Sequence, residues 1–257
     1  MRASPQLALY ALHDFPRVQP GDDIATLLID CLQLNDIRLE SGDVVCLAQK
    51  IVSKAENRYV AFSGIEPSQA AIELAAKCAK DPRQAELILR ESNEVVRVRP
   101  GVVIVEHRLG YVHANAGIDR SNIPTLEGDE QVLLLPENPD ASAATLRDSL
   151  QQYFACELAV IINDSAGRAW RNGTVGFAIG TAGFEPVESL VGNPDMFGRP
   201  LEITEVAVAD ELAAAASFLM GQADEGQPVV VIRGAQLKPS EAGSRALIRE
   251  KSLDLFR

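Results

Sequence analysis

Apolar positions recur along this chain at two spacings, and the changes between them outline its elements. Leu7–Leu12 reads as a strand, ended by Phe15-Pro16-Arg17-Val18-Gln19-Pro20-Gly21, a turn punctuated by proline and glycine. Asp22-Asp23 open a helix with Ile24, Leu27, Leu28, Cys31 and Leu32 on one stripe. After a Ser41-Gly42-Asp43 turn, Val44–Ala48 predicts a buried strand that runs into Gln49-Lys50-Ile51-Val52-Ser53-Lys54. Residues 68–80 and 82–92 predict helices, the first with Ala70, Ala71, Leu74, Ala75 and Cys78 on one face. Val95–Val98 and Val102–Glu106 flank Arg99-Pro100-Gly101, a hairpin signal, and Tyr111–Ala114 predicts one more strand.

Further along, Pro124 to Ala141 is turn-rich around one apolar run, Val132–Leu135. Ser142 is the expected cap of a helix ending near Phe154, and Thr204 that of an alanine-rich helix ending at Met220. Between them Val160-Ile161-Ile162 reads as a buried strand that stops at Asn163-Asp164-Ser165, and Val191–Pro200 as a loop. Val229–Ile232 is a last buried strand, closed by Arg233-Gly234. Hairpins mixed with helices predict an α+β (mixed α/β) fold rather than a regular doubly wound sheet. There is no repeat, low-complexity tract or linker.

Composition narrows the function. The chain has 257 residues, 47% hydrophobic and 23% charged, the balance of a globular enzyme. Its net charge of −12 argues against wrapping nucleic acid or lying on anionic lipid, both of which need a basic face. An acidic protein that binds a polyphosphate must neutralise it locally, with a metal or a few placed cations. Cys31, Cys46, Cys78 and Cys156 are dispersed, form no metal knuckle or redox pair, and suit a reducing cytoplasm. The N-terminal segment from Met1 to Val18 lacks a signal core and cleavage site, and no run approaches a membrane span.

The densest chemistry lies in residues 160–187. A carboxylate and a hydroxyl, Asp164-Ser165, follow an apolar run and suit a hard cation or a turn cap. Arg168, Arg171 and Asn172 follow within one short loop. Gly173, Gly176, Gly180 and Gly183 then place four glycines in eleven residues. Oxygen ligands, guanidiniums and close-approach glycines together suggest phosphate chemistry. Trp170 lies in the same loop, as a stacking surface or a buried anchor.

Three other polar segments stand beside apolar elements. Gln49-Lys50 with Lys54 reads as a phosphate grip or a solvated lysine pair. Asn115–Asn122 offers Asp119 and Asn122 as oxygen ligands or as turn formers. Met220–Gln227 is a polar loop between helix and strand. The chain contains no GxxxxGK[ST] or GxGxxG loop, no HExxH and no G-x-S-x-G elbow, and its histidines read as structural.

Read together, four segments resemble one family, the coenzyme F420-0:L-glutamate ligases, or γ-glutamyl ligases of deazaflavin biosynthesis. They are GDVVCLAQKIVSKAE (42–56), HANAGIDRSN (113–122), VIINDSAGRAWRNGTVGFAIGTAGFEPV (160–187) and FGRPLEITEVAVADELAAAASFLMGQADEGQPVVVIRG (197–234), in family order across nearly the whole chain. The resemblance implies a single catalytic unit over 1–257, with room for two subdomains and without the nitroreductase-like extension of some bacterial relatives. It also implies an unusual fold of mixed sheets with flanking helices, and an intertwined homodimer.

The implied reaction is GTP-dependent addition of L-glutamate, and of further γ-linked glutamates, to the deazaflavin precursor F420-0 through an acyl phosphate, releasing GDP and phosphate. By position, Asp119, Asp164, Ser165 and Gln222 match divalent-metal ligands. Some relatives carry Glu where Gln222 stands. The implied metals are Mg²⁺ or Mn²⁺ at a pair of divalent sites, with K⁺ as a further candidate. Phe15, Pro16, Arg17, Val18, Gln49, Lys50, Lys54, Asn122, Met220, Gly221, Gln222, Ala223, Asp224, Glu225, Gly226 and Gln227 match nucleotide-contacting segments, although Arg17 stands where relatives carry an aliphatic residue. Arg168 and Arg171 are expected clamps for substrate phosphate or carboxylate, beside Asp119 and Asp164 as catalytic groups. The competing readings keep the nucleotide and metal site but change the carboxylate acceptor, or make the chain a non-catalytic nucleotide-binding regulator.

Overall fold

A computed structural model describes residues 5–124 and 128–256. Residues 1–4 of the N-terminal run and 125–127 of the Pro124–Ala141 segment lie outside the described residues.

A five-stranded mixed sheet carries the largest core. In chain order its strands are β1 (Ala8–Ala11) and β2 (Val44–Ala48), then, after the smaller units, β8 (Ala159–Arg168), β9 (Arg171–Ala182) and β12 (Val229–Arg233). Their spatial order is β1-β12-β2-β8-β9, with β2 and β8 parallel and the other pairs antiparallel. Helices α1 (Ile24–Leu34), α2 (Gln49–Ala55) and α5 (Pro139–Phe154) cover one face, over Val45, Leu47, Val160, Ile162, Val229 and Val231. Helix α6 (Val208–Met220) covers the other, over Val44, Cys46, Ala159, Ile161, Val230 and Ile232. Burial on both faces explains why these strands read as unbroken apolar runs rather than alternating ones. Each Val, Leu or Ile among them contributes roughly 1.5–3 kcal/mol of transfer free energy.

The remaining strands form small antiparallel units. Strands β4 (Ser92–Arg99), β5 (Val102–His107) and β6 (Val112–Ala114) make a meander backed by α3 (Gln69–Cys78) and α4 (Pro82–Arg90). Strand β3 (Tyr59–Ala61) pairs with β7 (Gln131–Leu133) over Phe62, Leu87 and Leu134, and β10 (Glu188–Ser189) pairs with β11 (Glu205–Val206). The result is the α+β fold expected from the element pattern. No helix among the described residues is long and apolar enough to cross a membrane.

Two caps differ from expectation. Asn138, not Ser142, caps α5: its side chain accepts from Ala141 N, with Pro139 at the first helical position. Ser142 lies a turn inside, where its Oγ donates to Glu56 Oε1 at 2.6 Å and to Asn138 O at 3.1 Å. Thr204 belongs to the β10–β11 ribbon, its carbonyl accepting from Leu190 N. Helix α6 starts after Ala207 with no side-chain cap, and Asp210 and Glu211 in its first turn complement the helix dipole instead.

Candidate active site

The sheet topology gathers the polar loops. Parallel β2 and β8 point the same way, with Ala48 beside Asn163 as their last pair, so Gln49 and Asp164 come next at the same end of that pair. Antiparallel β12 begins at that end, and Ala48 N donates to Pro228 O, which brings in the 221–228 loop. Strand β1 ends there too, through Leu12 N to Val229 O, and delivers Phe15–Val18 with Val18 sunk into the core. Ligand sites form where loops leave the carboxyl ends of parallel strands.

These loops and the turn after β6 enclose a cavity of about 590 Å³. It is lined by Phe15, Pro16, Arg17, Val18, Gln49, Lys50, Lys54, Asn122 and all of Met220–Gln227, together with Asp119, Asp164 and Ser165. Every residue expected at the nucleotide or a metal therefore meets the others in one place. Arg168 and Arg171 are not among its lining residues.

Asp119 is held by its own backbone. Its N–H donates to Leu133 O and its carbonyl accepts from Leu133 N, both at 2.9 Å, joining the turn to β7. Behind it Asn115, Ala116 and Gly117 are all left-handed, and a Cβ on Gly117 would lie 2.6 Å from Leu135 Cδ1. Position 117 therefore calls for glycine. The Asp119 carboxylate takes Gln49 Nε2 at 2.7 Å and Lys50 Nζ at 2.8 Å, and Ser53 Oγ fixes the Gln49 amide. Burial pushes the Asp119 carboxyl up. Lys50 opposes this and the neighbouring Asp164 adds to it, leaving the carboxyl above its ordinary range.

His113 reads as structural in the sequence, but the structure puts it in the site. Its Nε2 lies 3.0 Å from Asp164 Oδ2 and its Nδ1 lies 3.0 Å from Ala114 O. Both nitrogens face acceptors, an arrangement that favours the imidazolium. Burial lowers its basicity, but the bond to Asp164 and that carboxylate's charge raise it further, so the net displacement is upward. His113 shares the quoted 113–122 segment with Asp119, the signal that would have marked it. Lys54 is depressed by burial first and then by Lys50 and Arg17, with Asp119 opposing. Crowded cations beside the two carboxylates leave the cavity suited to a polyanion carried with a metal.

The oxygens that could serve a metal here are the Asp119 and Asp164 carboxylates, the Ser165 hydroxyl and the Gln222 amide, whose Nε2 donates to Ser217 Oγ at 3.1 Å. Among the described residues no group of three or more His, Cys, Asp or Glu side chains could hold a metal ion by itself. A few hard oxygens without a closed cage fit a Mg²⁺-like ion that completes its shell with phosphate and water. Lys50 sets its ammonium against the Asp119 carboxylate, and His113 sets its imidazole against that of Asp164.

The 160–187 stretch is built differently from its sequence reading. The strand does not stop at Asn163: β8 continues to Arg168 and turns through Ala169-Trp170 into β9. What ends at Asp164 is burial, because the hairpin runs out past the helices that cover the sheet. Arg168 and Arg171 sit exposed at its tip, where Arg168 Nη1 donates to Gly173 O at 3.2 Å. Trp170 is no buried anchor: it is 88% exposed, with its ring 6.4 Å from that of Phe256. The close-approach glycines receive helices, not phosphate. A Cβ on Gly176 would lie 2.6 Å from Ala213 O of α6, and one on Gly180 would lie 2.5 Å from Pro139 O of α5.

Residues 14–234 match a family described as F420-0:gamma-glutamyl ligase. The chain is 46% identical over 254 residues to the coenzyme F420:L-glutamate ligase of Methanothermobacter thermautotrophicus, covering 98% of this chain and 99% of the relative. Identity is 45% over 247 residues with the protein of the same name from Methanopyrus kandleri, covering 94% of each. It is 40% over 257 residues with that of Haloarcula marismortui, covering 98% of this chain and 96% of the relative.

Proposed function

The chain belongs to the F420-0:gamma-glutamyl ligase family, and we propose that it is an amide-forming ligase that adds L-glutamate to the deazaflavin precursor F420-0 at the expense of GTP. The observation that carries the reading is the single cavity in which Lys50, Lys54 and the 221–227 loop face Asp119, Asp164 and Ser165. A carboxylate does not react with an amine until one of its oxygens becomes a leaving group. The acceptor carboxylate oxygen attacks the γ-phosphorus, GDP leaves, and the glutamate nitrogen then attacks the acyl carbon, losing a proton and expelling phosphate. Asp119, Asp164, Ser165 and Gln222 would hold Mg²⁺ or Mn²⁺, which neutralises charge at the transferred phosphoryl group. Lys50, Lys54 and Arg17 supply fixed positive charge, and the loops align the reactants.

We also propose a homodimer. Trp170, Phe218, Met196, Phe197 and Ile203 expose large apolar surfaces on one chain, the kind of surface that marks an interface. Arg168 and Arg171, remote from this chain's cavity, clamp substrate only if a second copy brings them there.

Incubation with precursor, GTP, L-glutamate and Mg²⁺ is expected to give a product heavier by one or more glutamyl residues. Asp164→Asn is expected to lower that rate by roughly 10²-fold or more. A full rate in Asp164→Asn would refute the assignment of the metal, and no mass gain with F420-0 would refute the acceptor.

A further inference from the structure

The loop that closes the cavity brings two carboxylates, Asp224 and Glu225, to a site read as gripping a polyphosphate. The structure shows where one of them goes. The Glu225 side chain folds back on its own loop, and Ala223 N donates to its Oε2 at 2.8 Å. The backbone N–H groups of Glu225 itself and of Gln222 act on the same carboxylate, and with Ala223 they hold its acidity below the ordinary range for a glutamate despite some opposing desolvation. Gly221 makes the space: a Cβ there would collide with the Glu225 carboxyl, and its φ of +74° suits glycine. The frame around this nest is tied on both sides. Asn122 Nδ2 donates to Ala223 O at 2.9 Å, and Gln222 Nε2 donates to Ser217 Oγ at 3.1 Å.

Convergent backbone amides form an anion site whatever anion fills it, and carboxylate and phosphate oxygens accept in the same way. We infer that the Gln222–Glu225 amides are an oxyanion site, filled in the ligand-free protein by the Glu225 carboxylate and taken over by a phosphate oxygen of the nucleotide, which expels it. The inference rests on the nucleotide reading of this cavity. It accounts for an acidic residue in a phosphate-binding loop: Glu225 stands in for the ligand and keeps the loop folded until the ligand arrives. The apparent affinity for phosphate is then reduced by the fraction of molecules in which the nest is open.

The test is isothermal titration of wild type, Glu225→Ala, Glu225→Gln and Asp14→Asn with inorganic pyrophosphate, and separately with GDP, at fixed Mg²⁺ and without acceptor. Asp14 is an exposed carboxylate beside the Phe15–Val18 segment but outside the cavity lining, and asparagine tolerates its left-handed backbone. Thermal melts confirm that each variant is folded. Glu225→Ala is expected to bind both ligands about three- to tenfold tighter, Glu225→Gln to fall between it and wild type, and Asp14→Asn to change by less than about twofold. Equal tightening in Asp14→Asn and Glu225→Ala would reduce the effect to general charge relief and overturn the site, as would unchanged or weaker binding in Glu225→Ala. If GDP binds none of the proteins while pyrophosphate still binds Glu225→Ala more tightly, the nucleotide reading fails and the oxyanion site stands. If GDP binds all four alike, the nucleotide reading stands and the oxyanion site falls.

Discussion

Gly176→Ala adds one methyl group where β9 crosses α6. The new Cβ would lie 2.6 Å from both Ala213 O and Asn163 Oδ1, and closer still to Ser217 Cβ. Carbon contacts are comfortable from about 3.5 Å, so the helix must retreat by roughly 1 Å or the strand must bend. Ala213 O is backbone and cannot turn aside as a side-chain tip would. Overpacking of this kind costs about 1–3 kcal/mol, and in a domain of this size each kcal/mol lowers the melting midpoint by about 2–4 °C. The expected fall is therefore roughly 2–12 °C, with a lower urea midpoint at an unchanged slope. The movement also reaches the site. Ser217 holds the Gln222 amide, so retreat of α6 carries the 221–227 loop with it, and affinity for the proposed nucleotide is expected to drop. Gly167→Ala is the control on the same hairpin, since its added Cβ meets nothing within 4 Å and its backbone is not left-handed. That variant is expected to stay within about 0.5 kcal/mol of wild type. Equal stability of the two variants in urea titration would refute the close approach of β9 to α6.

Other outcomes follow from the same structure. His113→Ala releases Asp164 Oδ2 and is expected to weaken Mn²⁺ binding about 10–100-fold, read by paramagnetic resonance; unchanged affinity would remove His113 from any holding role. Asp43, 1% exposed, takes Arg233 Nε at 2.9 Å and Nη2 at 2.7 Å and so pins β2 to β12. Asp43→Ala is expected to cost about 2 kcal/mol in urea unfolding, because it removes the charged acceptor of Arg233 and of Glu40 N, leaving the guanidinium only Glu40 and Arg38 O. Glu91 is pushed up by burial, but His107, Arg108 and Arg58 outweigh this and hold it at about 2 against an ordinary 4.5. Its folded-state value is depressed, so its stabilisation is complete above pH 4.5 and is lost as pH falls toward 2. Glu91→Gln is expected to lower stability at pH 7 and flatten the acid limb of the pH–stability curve, and an unchanged limb would contradict the ion cluster.

Local signals carried far in this chain. The apolar runs of β2, β8 and β12 and the stripe on α1 were legible because burial on defined faces imposes its period directly on the sequence. The caps were less legible. Ser142 and Thr204 have the right chemistry, but Asn138 with Pro139, and a ribbon pairing far from Thr204 in local pattern, decided otherwise. The glycines show the same limit: at Gly176 and Gly180 close approach was readable, but whether a phosphate or a helix makes the approach depends on Ala213 and Pro139, some 40 positions away, while Gly173 meets nothing within 4 Å.

The sequence by itself determined five of the helices and the apolar strands, the α+β class, the family likeness and the polar segments that carry chemistry, because each rests on neighbours in the chain or on long ordered motifs; β9 and the short strands β3, β10 and β11, which lack a continuous apolar run, were not legible. Only the tertiary structure decided that Phe15–Val18, Gln49–Lys54, Asp119, Asp164 and Met220–Gln227 share one cavity while Arg168 and Arg171 stand outside it. The physical reason is the sheet order. A parallel β2–β8 pair beside an antiparallel β12 sends those loops to the same end of the sheet, and the length of the β8–β9 hairpin carries the two arginines away from it.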